Sequence, residues 1–557
     1  MKKYLVLALA ALLVLSMIGC SADKGSTDAP VNTAPPVEQN GGAQQPAADP
    51  LADAANKYFA EFPGNRIVAW EDLFTLIDAG EEPFILSIRQ QDVYDQGHIV
   101  GAYRASWGAD LAEKVSMLPK DKPVYVYCYS GQTAGQAVAL MNMLGIEAYS
   151  VKAGFNYGAT KVEGYEAYVE TTPHELENAG AEFDPTVLAF VQEYFKSVDA
   201  NANFQTPPAE ADTLSQSGDA MILDIRSAED YAAAHIEGAV NLPYGKDMQL
   251  GFADLPKDEK IIVACYSGQT AGQTVAVMRA LGFNAYSMQF GMAGAKGWTY
   301  YVKTSAANKY FAEFTENPVL PWADLLAKLD AGEALFLLDI RSADDYAAGH
   351  VKGAYSAAWG EDLAAKVAYL PKDAVVYVYC YTGQTAGQTI ALMRMLGINA
   401  ISVQSGFNSA VSTVEGFDAY VDTTPNELVN AGAAFDPFLL GEVQKYFNGI
   451  ADNASYKMSL EDSLAAVQAG TVTVLDIRKA EDFAAGHIEG AINIPFGQGM
   501  QEKFSELPAG KLLVTCYSGQ TAGQTTAVLR MLGYDAVSMH LGMKLGWIAA
   551  GYPVVTD

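Results

Sequence analysis

The 557-residue sequence predicts an α/β protein made of four tandem units, each a mainly parallel sheet flanked by helices on both faces. Three observations carry this reading. A nine-residue string recurs four times in one register. Short apolar runs alternate with helical patterns inside each unit. Half of the residues are hydrophobic and only 18% are charged, which excludes a disordered chain. The 35 Lys and Arg against 65 Asp and Glu give a formal net charge of −30, so nucleic-acid binding through a basic face is excluded as well. Five cysteines are too few for a disulfide-built scaffold.

The chain starts Met1-Lys2-Lys3, continues as an apolar run over 5–18 and reaches Gly19-Cys20. A short basic start before an apolar core too short for a comfortable membrane span reads as an export signal. Its end, Ser16-Met17-Ile18-Gly19-Cys20, resembles a bacterial lipoprotein signal, with Met17 where Leu is usual. The resemblance implies that residues 1–19 are removed and that Cys20 carries the lipid. The mature protein is then a membrane-anchored lipoprotein outside the cytoplasm, in the periplasm or at the cell surface. Residues 20–53 are expected to be a flexible tether, because up to about Pro50 they offer Val31 and Val37 as their only large aliphatics.

Cys-Tyr-Ser-Gly-Gln-Thr-Ala-Gly-Gln starts at Cys128, Cys265 and Cys516, and at Cys380 with Thr382 for Ser. A Tyr-Phe pair precedes each, at Tyr58, Tyr194, Tyr310 and Tyr446, always 70 or 71 residues upstream. Longer strings repeat at a step of 252, such as Phe-Asp-Pro at Phe183 and Phe435. Units one and three share a Trp-Gly-x-Asp-Leu-Ala stretch at Trp107 and Trp359. Units two and four instead share a stretch ending in Asn-x-Pro, from Glu237 and Glu489. The domains expected are 54–180 (type A), 181–304 (type B), 305–432 (type A) and 433–557 (type B). A period this long differs from a solenoid's, so each unit is expected to own its core.

The second unit shows the pattern best. Residues 220–225 and 260–264 are apolar runs fitting buried strands, the second ending directly on Cys265. Residues 271–281 carry a helical face, and 285–288 read as another strand. Alternating strands and helices imply a parallel sheet, whose ligands sit at the carboxyl ends of strands. Each repeated cysteine falls there. A small-residue loop followed by a helix can aim its amides at the sulfur, and the helix N-terminus adds partial positive charge. Such a setting favours an anionic, nucleophilic sulfur that forms a covalent intermediate.

Together these motifs resemble the rhodanese sulfurtransferase family over 54–557. Leu223-Asp224-Ile225-Arg226, His235-Ile236, Gly238-Ala239, Asn241 and Pro243 match its first signature, and Gly546-Trp547 with Tyr552-Pro553-Val554 its closing one. The resemblance implies that Cys128, Cys265, Cys380 and Cys516 accept sulfane sulfur as persulfides. They would take it from thiosulfate, polysulfide or a similar donor and pass it to cyanide or a thiol. The substrate cradle implied is Tyr129, Ser130, Gly131, Gln132 and Thr133; Tyr266, Ser267, Gly268, Gln269 and Thr270; Tyr381, Thr382, Gly383, Gln384 and Thr385; and Tyr517, Ser518, Gly519, Gln520 and Thr521, acting through backbone N–H groups. A non-catalytic lipoprotein that relays sulfur or binds a partner protein is the alternative.

The departures are informative. No loop carries the Arg or Lys that many family loops use on an anionic donor. Ser87 replaces Asp224, Asp339 and Asp476 in the first unit, and units one and three have Tyr157 and Ser409 near the place of the closing Trp. Units two and four are therefore expected to be the better catalysts. His98, His235, His350 and His487 precede each Cys by 29 or 30 residues and are read as structural. Each Asp-x-Arg arginine is read as an ion-pair partner. A phosphatase needs Arg six residues after Cys, where Ala134, Ala271, Ala386 and Ala522 stand. No cofactor or metal is expected. The partners expected are the sulfur donor, its acceptor and the membrane through the lipid.

Overall fold

The computed structural model describes residues 49–556. The expected signal, lipidated Cys20 and tether up to 48 lie outside the described residues. Pro50–Ala60 is a helix, so 50–53, assigned to the tether on composition, form its first turn. Asp49 Oδ1 accepts from the N–H groups of Leu51 and Ala52, and Pro50 brings a helix-compatible φ.

Four five-stranded parallel sheets follow, one per unit. In the first the order is Ile67–Val68, Ala148–Val151, Val124–Tyr127, Phe84–Ser87 and Tyr103–Arg104. The other three repeat this order, and each cysteine sits just past the end of the central strand. Among the described residues no helix is long and apolar enough to cross a membrane.

Each unit contributes two helices that decide the larger architecture. A leading helix carries the Tyr-Phe pair: Pro50–Ala60, Pro185–Ser197, Trp298–Ala312 and Pro437–Asn448. The Phe-Asp-Pro repeats mark two of its starts, where Asp184 and Asp436 cap the first turn. The third runs unbroken across positions 304 and 305, so one rigid element joins the two halves of the chain. A loop helix follows each cysteine: Gln132–Met143, Gln269–Ala280, Gln384–Met395 and Gln520–Met531. These are buried nearly all round, as a helix held between two layers must be.

The units do not each own their main core. Units one and two share one, reaching from Phe59 through Val138 and Leu223 to Ala285, and units three and four share its counterpart. Smaller separate cores cover the outer sheet faces, as around Trp70 and Trp547. The physical reason is the loop-helix contact. Gly135 lies on the Gln269 carbonyl and Gly272 on that of Gln132, so closely that any Cβ would overlap the oxygen; Gly387 and Gly523 repeat this with Gln520 and Gln384. With glycines at the crossing, the two backbones meet and both sheets close over one layer of helices.

This crossing gives a direct test. Gly135→Ala should lower stability by about 2 kcal/mol, because neither backbone can give way. Gly441→Ala, on an exposed face of Pro437–Asn448 with open space around it, should raise it by about 0.5–1 kcal/mol. Thermal denaturation of both variants checks the pair.

Candidate active-site loops

Each loop wraps its cysteine with local backbone. Gly131 takes a left-handed φ of 88° and starts the loop helix, which turns two amides onto the sulfur. Gly131 N–H donates to Cys128 Sγ at 3.1 Å and Ala134 N–H at 3.4 Å. The same two donors reach Cys265, Cys380 and Cys516 at 3.0–3.4 Å. The alanine standing where a phosphatase keeps Arg thus supplies its backbone to the sulfur. All four cysteines are free thiols and only 1–2% exposed.

The remaining loop residues divide by role. Tyr266, Tyr381 and Tyr517 are exposed beside the sulfur, and Tyr129 is half-buried. Each hydroxyl accepts a backbone N–H from the loop after the strand that ends on Ser87, Asp224, Asp339 or Asp476, that of Gln90, Ser227, Ser342 or Lys479. Three of them also donate to a carboxylate, Asp230, Asp345 or Asp482. The first unit has Val93 at that place. The Tyr266 hydrogen bond, then that from Ser227, holds the Asp230 carboxyl below its usual range; Ser342 and Tyr381 do the same for Asp345. Ser130, Ser267, Thr382 and Ser518 and the threonines that close each cradle (Thr133, Thr270, Thr385 and Thr521) lie around the same turn.

The glutamines go elsewhere. Gln132 leaves its own loop for the neighbouring unit, where Nε2 donates to Ser287 Oγ and the Met288 carbonyl and Oε1 accepts from Phe290 N–H. Gln269 returns the favour to Ser150 Oγ, Val151 O and Ala153 N–H. Gln520 binds Ser402, Val403 and Ser405 in the same way. Gln384 binds Ser538 and Met539, but its Oε1 faces His540 Nδ1 at 3.3 Å. The segments they hold clasp the partner's cysteine loop: Met292 N–H donates to Cys265 O at 2.7 Å, and Phe155 N–H to Cys128 O at 2.8 Å. Each clasp carries a non-glycine residue in the left-handed region (Ala153, Phe290, Ser405 or Leu541), a costly conformation that the neighbouring unit braces.

The second glutamine of each string is also spent across the interface. Tyr194 donates to Gln136 Oε1 at 2.7 Å and Tyr58 to Gln273 Oε1 at 2.5 Å; Tyr446 and Tyr310 repeat this on Gln388 and Gln524. Burial pushes all four phenols above their ordinary range, so they stay neutral donors. Trp107 and Trp359 stack edge-on against Phe195 and Phe447 of the partner's leading helix.

The histidines and arginines are structural in geometry. His98 and His350 are fully buried, each stacked on a tyrosine with both ring nitrogens facing carbonyls. Arg226, Arg341 and Arg478 grip Asp224, Asp339 and Asp476, while Arg89 has Ser87 Oγ only at 3.5 Å and lies over Phe155. Units one and three replace the closing Trp by Trp70 and Trp322, whose indoles donate to Gly154 O and Gly406 O. The fold also gathers His98, Glu170 and His174, a trio that linear spacing hides. Because Tyr94 O and Thr172 O already engage the His98 ring, it is not an open ligand set.

A Rhodanese-like domain family profile matches residues 70–160, 207–297, 322–419 and 459–550. The chain belongs to the rhodanese-like family. Thiosulfate sulfurtransferase GlpE of Pseudomonas fluorescens (strain SBW25) is 33% identical over 109 residues, 18% of this chain and 92% of that protein. The HTH-type transcriptional regulator Rv0324 of Mycobacterium tuberculosis is 36% identical over 90 residues, 16% of this chain; the match spans only 39% of the regulator. A solved thiosulfate sulfurtransferase from Pseudomonas aeruginosa is 18% identical, covering 88% of this chain and 90% of its own, with a TM-score of 0.17.

His540 should give the second pair of units a pH-dependent part of its stability. Burial, with Lys457 nearby, holds its folded-state pKa below the ordinary value. The unfolded chain therefore takes up the proton first, and stability present above about pH 6.5 is lost as pH falls through the folded value. His540→Gln, which copies Gln289 and Gln404 at the matching positions, should remove this part of the acid sensitivity. Denaturant melts at about pH 7.5 and about pH 5.5 compare the two proteins.

Proposed function

We propose that the chain is a cell-envelope sulfurtransferase, held at the membrane by lipid on Cys20, that moves sulfane sulfur through persulfides on Cys128, Cys265, Cys380 and Cys516. The observation that carries this reading is the pair of amides on each sulfur, repeated four times with one geometry. Two N–H donors at a helix start stabilise negative charge on Sγ before attack and after release.

In the first half-reaction the thiolate attacks the outer sulfur of an S–S donor. The Sγ–S bond forms, the donor S–S bond breaks, and its electron pair leaves on the inner sulfur as a thiolate or as sulfite. In the second, a thiolate or cyanide attacks the terminal sulfur, the Sγ–S bond breaks, and the cysteine thiolate returns. No external oxidant or reductant enters.

The surroundings favour a donor other than thiosulfate. Asp230, Asp345 and Asp482 place carboxylates beside three loops, no loop carries a cation, and the whole chain is strongly acidic. A dianion such as thiosulfate or inorganic polysulfide meets repulsion there, whereas an organic or protein persulfide carries at most one charge at its outer sulfur and can present it to a nearly buried thiol. A second reading, sulfur storage or relay without turnover, draws on that same burial of the thiols.

A donor screen with intact-mass detection separates the readings. An organic persulfide should add sulfur increments of about 32 Da at the loop cysteines, faster than thiosulfate does, and cyanide should then release thiocyanate. Changing all four cysteines to Ser should abolish both. Persulfide without release supports storage, and unmodified thiols with organic persulfide, polysulfide, thiosulfate and mercaptopyruvate alike overturn the proposal.

A further inference from the structure

Three of the four units close one edge of the fold with an extended stretch of their own chain. His98–Ile99 pairs with Val169–Glu170, His350–Val351 with Val421–Asp422, and His487 with Val555, all antiparallel. The stretch also satisfies side chains. Thr172 O and Thr424 O face the Nε2 atoms of His98 and His350, and the N–H groups of His174 and Asn426 donate to the Tyr94 and Tyr346 hydroxyls. In the fourth unit Trp547 Nε1 donates to Pro553 O at 2.9 Å.

The second unit keeps the receiving half of this arrangement alone. At Trp298 its chain turns into the helix Trp298–Ala312 and leads to the third unit, so no stretch comes back to His235-Ile236. Among the described residues the His235 backbone has no strand partner, its Nε2 faces no carbonyl, and the Tyr231 hydroxyl accepts no amide. Trp298, 4% exposed, has its Nε1 buried without an acceptor. These groups border an open cleft of about 880 Å³, lined by residues 232–237, Asp212 and Trp298 and walled on its far side by 434–437.

We propose that this cleft binds an extended peptide of a partner protein, added as a strand along His235-Ile236. The sister units define its chemistry. Val-Glu-Thr-Thr-Pro at 169–173 and Val-Asp-Thr-Thr-Pro at 421–425 close units one and three, and Pro-Val-Val-Thr at 553–556 closes unit four. β-Branched residues suit the extended backbone, and proline marks where pairing stops. Carbonyls of the added strand supply the acceptors that His235 Nε2 and Trp298 Nε1 lack, and its amides serve Tyr231. Asp212, Glu237 and Asp436 line the cleft with no Lys or Arg among them, so basic residues flanking the strand complement it. Among the described residues the closing stretches of the sister units are engaged in their own units and are not free to fill this cleft.

The probe is a labelled peptide, Lys-Lys-Tyr-Val-Asp-Thr-Thr-Pro-Asn-Lys, titrated into the full chain with hydrogen exchange read residue by residue. Saturable binding is expected, with amide exchange at His235 and Ile236 slowed about tenfold or more and that at His350 and Val351 unchanged. Trp298→Phe should weaken binding about fivefold, and N-methylation of the peptide's Asp amide about tenfold. No saturable binding by about 1 mM overturns the proposal, as does protection elsewhere or indifference to the N-methyl group. Protection of His235 that rises with protein concentration in the absence of peptide would assign the cleft to a second copy and overturn it too.

Discussion

The contact on which the rest of the structure depends is backbone on backbone, where Gly135 meets the Gln269 carbonyl and Gly272 that of Gln132. Nothing larger than hydrogen fits there, so the two loop helices approach as closely as helices can. That approach brings each cysteine loop to the partner's clasp segment and makes one helical layer serve two sheets. It also leaves the glutamines flanking each glycine no solvent to face. Their amides must be satisfied by the opposite unit, since an unpaired buried amide costs about 1–3 kcal/mol. Cysteine loop and domain interface are therefore one element.

This economy explains the difference between the unit types. Type A units contribute Trp107 or Trp359 to the partner's leading helix, and type B units contribute Tyr244 or Phe496 against Phe59 or Phe311. The two halves of an interface need unlike surfaces, and the 252-residue step is the repeat of a complete interface. The join between the pairs has a separate consequence. By continuing as a helix from Trp298, the second unit gives up the closing stretch that its three sisters keep, and its edge and indole stay open to another strand.

Much of this was legible in the sequence, for a physical reason. The donors that hold Cys265 are amides three and six residues on, so a contiguous string such as Cys-Tyr-Ser-Gly-Gln-Thr-Ala-Gly-Gln reports the site by itself. Parallel strands were visible as apolar runs, and the structural reading of the histidines agrees with their carbonyl partners. What escaped was everything between units. The cradle reading of Gln132 concerns its backbone and says nothing of its side chain, which reaches Ser287, and Tyr58 looks like a register mark until it meets Gln273, because such contacts span more than 150 residues. The expectation of one core per unit failed for the same cause: periodicity shows that a helix is buried on many sides, not which sheet covers it. His98, Glu170 and His174 likewise converge only in three dimensions.

Each unit braces its partner's cysteine loop through the glutamine that follows its own cysteine. Site-resolved mass spectrometry of persulfide formation in Gln132→Leu tests this most directly. The clasp over Cys265 loses its brace in that variant, while the amides on Cys128 come from the backbone and remain. Sulfur loading at Cys265 should then be slower than in the unaltered chain, with Cys380 and Cys516 unchanged. Loading that falls at Cys128 and leaves Cys265 untouched would contradict it.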